Sequence, residues 1–209
     1  MINSKDRIET EEELRALMGE PSELVKKKVI SSLDHNCIEF ISKSPFLVIS
    51  TSNKNGECDV SPRGDHPGFV LALDDGRLVI PERPGNKRMD TLMNIISNPK
   101  IGLLFLIPGL GETLRVNGKA TLTKNQELLS RMEVKGKRPL VGIEVEVQEA
   151  FIHCAKAFKR SGLWEQHTWA DKESLPSAAK ILLEHSKLPN YTTEEMEKRL
   201  QDGYVNRLY

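Results

Sequence analysis

Cysteine is scarce in this chain of 209 residues: Cys37, Cys58 and Cys154 stand far apart and are odd in number. Such usage argues against a disulfide framework and against paired cysteine ligands for zinc, and it fits a reducing compartment. Aromatic residues make up only 5%, too few for the interleaved stacking platforms that bind single-stranded nucleic acid. Net charge is absent too, since 30 basic residues balance 30 acidic ones, and no global field draws the chain to polyanions or to an anionic membrane. No long apolar run follows Met1-Ile2-Asn3-Ser4-Lys5. Neither a signal peptide nor a membrane span is therefore expected, and the expected location is cytoplasmic. His66, His153 and His167 lack metal-ligand spacing, so no metal site is expected. Cys154 beside His153 reads more simply as a small buried residue than as a nucleophile, because neighbours on a strand face opposite sides.

What is present is a succession of short β-branched and aliphatic runs separated by turn chemistry, the pattern of an antiparallel barrel or sandwich. Phe46 to Thr51 is an apolar strand, Asn53-Lys54-Asn55-Gly56 is a turn, and Cys58 to Ser61 returns beside the first strand. Phe69 to Leu73, Asp74-Asp75-Gly76, then Arg77 to Ile80 repeat that grammar as a second hairpin. Ile101 to Ile107 is a further strand, closed by the turn Pro108-Gly109-Leu110-Gly111. Leu114, Val116, Gly118, Ala120 and Leu122 then fall on one face of a strand, as do Val141, Ile143, Val145 and Val147 of a later one. About six or seven strands result.

Helical texture brackets this core. The first forty or so residues read as helices packed over one end of the core, with Thr10 as a cap and with Ile38 and Ile41 at apolar spacing. Near the other end, Ser177 caps a helix carrying Ala178, Ile181, Leu182 and His185 on one stripe, and Thr192 with Glu195 makes a capping box. The tail Arg207-Leu208-Tyr209 fits docking onto the body as well as it fits disorder. The expected fold class is mainly β (α+β): an antiparallel barrel or sandwich with peripheral N- and C-terminal helices. It is read as one domain, with helices over 1–44, the barrel over 45–165 and a helical extension over 166–209.

Between the second hairpin and the strand at Ile101 lies Arg83-Pro84-Gly85-Asn86-Lys87-Arg88, leading into a helix with apolar positions Met89, Leu92, Met93 and Ile96. Asn86 is the expected N-cap, which puts Lys87 and Arg88 in the first turn. There the helix dipole already presents positive potential, and two cations are unfavourable unless an anion joins them. A phosphate monoester dianion resolves the conflict. A solvated basic turn offset by Glu82 and Asp90 is the alternative. Arg63, in Ser61-Pro62-Arg63-Gly64-Asp65, leaves the first hairpin where Pro62 is expected to end regular pairing and Gly64 permits close approach. It reaches an anion or pairs with Asp65 on the surface.

The ordered series Ser61-Pro62-Arg63-Gly64-Asp65, Pro67-Gly68-Phe69, Arg83 to Arg88, Asn94, Asn98-Pro99 and Leu114-Arg115-Val116-Asn117-Gly118 resembles the pyridoxamine 5′-phosphate oxidase-like family. The likeness covers roughly residues 40 to 165, and the family's fold is the FMN-binding split barrel, which narrows the expected class to a split β-barrel of antiparallel strands. It implies FMN as cofactor, with Arg63, Gly64, Arg83, Asn86, Lys87 and Arg88 around the phosphate. By the same resemblance the backbone of Val79, Ile80 and Pro81 lies along the flavin ring, and Thr113 and Arg115 flank it. A late segment, His153 to Trp164, resembles one that reaches FMN from the partner subunit, which assigns Lys156, Arg160, Ser161 and Trp164 there and implies a homodimer. For Trp164 and Lys156, packing and solvation are equally good readings.

The founding enzyme's arginine and histidine pattern for pyridoxal phosphate has no match near this C-terminus, so its reaction does not transfer with the fold. The expected function is an FMN-dependent oxidoreductase with a small-molecule redox substrate and a reduced nicotinamide, NAD(P)H, as candidate donor. The alternative is a non-catalytic FMN-binding protein, a flavin store or sensor. No residue is assigned a catalytic role, and neither nucleic acid nor membrane is an expected partner.

Overall fold

The computed structural model describes residues 6–74 and 76–209. Residues 1–5 and Asp75, on which the leader reading and part of the second turn rest, lie outside the described residues. The strands are β1 (Phe46–Ser52), β2 (Cys58–Gly64), β3 (Leu71–Ala72), β4 (Arg77–Pro81), β5 (Lys100–Leu106), β6 (Thr113–Thr123) and β7 (Gly142–His153). All pair antiparallel in one seven-stranded sheet of order β2-β1-β5-β6-β7-β4-β3. The sheet curls until the far ends of β2 and β4 meet through side chains, Arg63 Nη2 lying 3.0 Å from Glu82 Oε2. Of the barrel and sandwich that the turn grammar leaves open this is the barrel, and it is the split barrel that the family resemblance implies.

Alternation builds the core. Leu47 and Ile49 of β1, Leu103 and Phe105 of β5, and Leu114, Val116 and Ala120 of β6 point inward and are buried. On β7 the inward set switches from Ile143 and Val145 to Ala150, because a bulge moves the register from Gly118↔Val147 to Asn117↔Glu149. Gly118 permits that bulge: a Cβ there would overlap the Glu146 carbonyl oxygen. Past the reach of β4, the free edge of β7 is taken by Ile30, which exchanges two backbone hydrogen bonds with Ala150 at 3.0 and 2.8 Å. At Pro108-Gly109 the chain makes a turn closed by Leu110 N–H donating to the Ile107 carbonyl at 3.0 Å, with Gly109 at φ 85°.

Eight α-helices surround the described barrel: α1 (Glu11–Met18), α2 (Glu23–Lys27), α3 (His35–Lys43), α4 (Asp90–Ser97), α5 (Gln126–Ser130), α6 (Lys156–Ser161), α7 (Ala178–Ser186) and α8 (Thr193–Asn206). Thr10 caps α1, Ser177 caps α7 and Thr192 with Glu195 forms the capping box of α8, as their sequences predict. No helix among the described residues is long and apolar enough to cross a membrane.

Several expectations need correction. Of the N-terminal helices only α3 covers the core, through Cys37 and Ile41, whereas α1 and α2 bury no residue. Pro62 does not end β2. Pairing runs on through Pro62↔Val48 to Gly64↔Phe46, since β2 is an edge strand where a missing N–H costs no ladder bond. The strand expected over 69–73 shrinks to Leu71–Ala72. Cys154 is exposed rather than buried, while Cys37 is buried and its thiol is pushed up to about 11, mainly by desolvation. On α7 it is Ala179 that is buried, and Ile181 and Leu182 stay exposed.

Candidate functional site

Where the split barrel meets itself, two crossed ion pairs join the end of β2 to the segment after β4. Arg63 donates from Nε and Nη2 to Glu82 Oε2 at 3.2 and 3.0 Å, and from Nη1 to its neighbour's carbonyl, Pro62 O, at 2.9 Å. Arg83 donates from Nε to Asp65 Oδ2 at 2.7 Å and from Nη2 to Met132 O at 2.8 Å. The Arg83 and Asp65 side chains are only 14% and 1% exposed. Burial alone would raise the Asp65 pKa, but hydrogen bonds from Tyr209, the His66 N–H and Arg83 outweigh it and hold the carboxylate below its ordinary range. The simple Arg63–Asp65 surface pair is thus replaced by an exchange of partners across the seam.

The basic turn follows. Its geometry corrects the expected cap: α4 begins at Asp90, not near Lys87, and Met89 occupies the N-cap without a side-chain bond. Asn86 instead accepts from the Arg88 N–H at 2.9 Å, closing a tight loop two residues long, and Asp90 takes the favourable acidic place in the first turn. Lys87 and Met89 both sit at positive φ, 62° and 60°. Backbone strain of this kind costs on the order of 1–3 kcal/mol per residue and concentrates at ligand sites. Arg88 pairs with Asp90 at 2.8 Å while its side chain stays 72% exposed.

The helix buries a face other than the predicted one. Thr91 and Ile95 point inward with Leu92 partly covered, and Met89, Met93 and Ile96 are exposed. Polar bonds moor α4 to the sheet: Thr91 Oγ1 lies 2.7 Å from Asp59 Oδ2, Asn94 Nδ2 donates to Thr51 Oγ1 at 3.1 Å, and Asn98 Nδ2 donates to Ser52 Oγ at 3.1 Å. Asn94 and Asn98 of the motif series therefore position the helix and, with it, the basic turn.

Seam and turn together line a cleft of about 830 Å³. Among its lining residues Arg63, Arg83, Lys87, Arg88 and Arg138 are cationic and Asp65, Glu82 and Asp90 are acidic, which leaves two positive charges uncompensated. Phe69, Pro81, Leu92 and Leu140 supply apolar wall. Size, mixed apolar lining and a cationic end match a site for a small organic anion.

The structure brings Arg63, Gly64, Pro81, Arg83, Asn86, Lys87 and Arg88 together in this cleft. Val79 and Ile80 do not line it: their side chains are wholly buried, and Val79 packs against Leu129 and Met132. Thr113, Arg115, Lys156, Arg160, Ser161 and Trp164 are not among its lining residues either. Thr113 is buried opposite His153, and Arg115 lies 5.2 Å from the Phe151 ring centre and bonds Asn117. Lys156, Arg160 and Ser161 are exposed on α6. Trp164 donates to Leu110 O at 2.9 Å and stacks on Phe158, ring centres 5.6 Å apart, so within one chain it serves packing.

Residues outside the sequence-derived set also shape the cleft. Arg138 and Leu140, in the loop before β7, line it, and nothing in their local sequence distinguishes them from other loop residues. Tyr209 lines it too, with its hydroxyl 2.8 Å from Asp65 Oδ1, its ring near Arg83 and its main-chain oxygen 2.6 Å from Lys137 Nζ. The tail docks rather than disorders.

Comparison with solved structures finds distant similarities over part of the chain. HupZ from Group A Streptococcus is 16% identical over 57% of this chain and 93% of its own, with a TM-score of 0.47. A pyridoxamine 5′-phosphate oxidase-related, FMN-binding protein from Nostoc punctiforme is 12% identical over 52% of this chain and 74% of its own, with a TM-score of 0.39. The FAD-binding protein from Mycobacterium smegmatis is 10% identical over 59% and 97%, with a TM-score of 0.40. None of the curated proteins matches the chain. The family profile described as pyridoxamine 5′-phosphate oxidase matches residues 33–154, from just before α3 to just past β7 and more than half of the sequence. By that match the chain belongs to the pyridoxamine 5′-phosphate oxidase family.

Proposed function

We propose that the protein binds FMN in the cleft between the seam and the basic turn, and that it is an FMN-dependent oxidoreductase acting on a small substrate. The observation that carries this reading is the pair of uncompensated positive charges on a cleft wall whose remainder is largely apolar. A phosphate monoester dianion supplies the two missing negative charges, and a flat ring system covers apolar wall. Lys87, Arg88 and Arg138 are exposed on the cleft, and of these Arg88 shares its charge with Asp90, so a phosphate at the turn meets Lys87 directly and Arg88 by sharing it with that carboxylate. Arg63 and Arg83 are both held by the ion pairs of the seam, so their part is to fix the shape of the cleft and to contribute field rather than a full set of contacts.

FMN, when bound, supplies the redox chemistry itself. The chain's residues hold the phosphate, exclude water from one side of the cleft and leave its mouth open to a donor such as NAD(P)H. We place the protein in the cytoplasm. We further propose a homodimer: Met89, Met93 and Ile96 expose an apolar strip of α4 at 55%, 53% and 76% beside the cleft, a face that a second copy would cover. In that assembly Lys156, Arg160, Ser161 and Trp164 of the second copy would complete the site, which accounts for their distance from the cleft within one chain.

Purification tests the reading. A yellow protein releasing FMN in one-to-one ratio, dimeric by light scattering, agrees with it, and a colourless protein that ignores added FMN contradicts it. Steady-state turnover with a reduced nicotinamide separates an oxidoreductase from a flavin store, which would oxidise slowly whatever acceptor is present.

A further inference from the structure

A second cavity, of about 360 Å³, adjoins the cleft. Arg83, Pro84, Arg138, Pro139 and Tyr209 line both spaces, and Lys137 lines the second. Tyr209 therefore stands on their common boundary. It is held there from several sides: its hydroxyl donates to Asp65 Oδ1 at 2.8 Å, Arg83 and Lys135 lie 5.6 and 5.5 Å from its ring centre, and Lys137 Nζ holds its main-chain oxygen at 2.6 Å. Asp65 is itself fixed by Arg83 and by the His66 N–H. Two cation–ring contacts and two hydrogen bonds make the phenol costly to displace.

The position of this partition decides what the cleft accepts. Arg83 and Pro84 belong to the segment that leads into the phosphate-binding turn of the proposed function, and they also line the side chamber. The adjoining chamber is the space such a segment offers to a ligand that continues beyond that phosphate. Chemically the chamber suits such a continuation, with Arg83, Lys137 and Arg138 for a second phosphate and Pro84 and Pro139 as apolar surface for a base. Tyr209 is among the residues that line both spaces where they adjoin, and its ring is the bulkiest apolar group there.

We propose that Tyr209 is a specificity-determining residue that restricts the cleft to a mononucleotide flavin and refuses the dinucleotide FAD, whose adenylate half would need the space behind the phenol. The inference rests on the flavin reading above. It gives α7 and α8 a function, since they carry the chain back from the barrel to place residue 209 at the seam.

Titration of flavin-free protein with FMN and, separately, with FAD, followed by flavin fluorescence, tests this across Tyr209→Phe, Tyr209→Leu and Tyr209→Ala. Wild type should favour FMN over FAD by about tenfold or more, and Tyr209→Ala should shrink that ratio by about tenfold. Tyr209→Phe keeps the ring and its cation contacts and should stay near wild type, with Tyr209→Leu between. The graded series answers the question even if Tyr209→Ala folds poorly. Adding Lys137→Ala to the smallest well-folded variant should remove the gained FAD affinity, an effect that a merely structural tyrosine would not produce. A ratio that stays constant across the series, or a wild type that takes both flavins equally, overturns the proposal. If wild type binds neither flavin, the flavin reading itself fails, and that result is distinct from a constant ratio.

Discussion

Asp65 accepts from two distant parts of the chain at once: the Tyr209 hydroxyl at 2.8 Å on one carboxylate oxygen and the Arg83 guanidinium at 2.7 Å on the other. With its side chain 1% exposed, it ties the end of β2, the segment after β4 and the tail together. Removing it leaves a largely buried guanidinium without its counter-charge. Asp65→Ala should therefore lower the unfolding free energy by about 3 kcal/mol. Urea denaturation gives the number, and a loss below about 0.5 kcal/mol would show that the pair is a solvated surface contact.

The same contact sets a pH window. The Asp65 hydrogen bond pushes the Tyr209 pKa above its ordinary value, so its stabilisation is complete below the normal tyrosine pKa and is lost as pH rises through the elevated one. Asp65 is shifted down, so its contribution is present above the ordinary aspartate pKa and fades as pH falls through the depressed one. Ultraviolet titration of the chain's three tyrosines should show one ionising above the usual range of about 10. That late step should vanish in Tyr209→Phe.

Gly118 sits at the bulge that redirects β7, in a place where a Cβ would overlap the Glu146 carbonyl oxygen. The obstacle is backbone and cannot swing aside. Gly118→Ala should cost about 1–3 kcal/mol by forcing the ladder apart. A melting temperature equal to wild type would mean that the bulge relaxes freely.

Arg88 is 72% exposed at the turn and shares its charge with Asp90. Its removal should barely affect folding, since an exposed pair contributes little. It should weaken FMN binding by about tenfold to a hundredfold through loss of a charge-assisted phosphate contact. Fluorescence titration of Arg88→Ala measures the loss, and an unchanged dissociation constant would take Arg88 out of the site.

The barrel was legible because its information is local. Turn residues such as Pro108-Gly109 and the period-two pattern of Leu114, Val116 and Ala120 state strand and face within a few positions. Pro62 misled because the rule that proline ends pairing ignores whether the strand lies on an edge, and edge position is set by the whole sheet order. The basic turn was visible as composition, yet its cap was not. Asn86 can bond either a helix N-terminus or its own backbone two residues on, and the structure takes the second course. The exposed strip Met89, Met93 and Ile96 obeys helical spacing as well as a core face does, and spacing alone does not say whether the apolar side meets the core or solvent. The crossing of Arg63 to Glu82 and of Arg83 to Asp65, and the return of Tyr209 to Asp65 across 144 positions, exist only once the sheet has curled.

In the proposed function the turn over 83–88 recognises a phosphate dianion on a flavin. Parallel titration of flavin-free protein with FMN and with riboflavin, which carries the same ring and no phosphate, isolates that contribution. FMN should bind more tightly by about a hundredfold, the worth of two charge-assisted contacts. Equal affinity for both compounds, or binding of neither, would contradict the account.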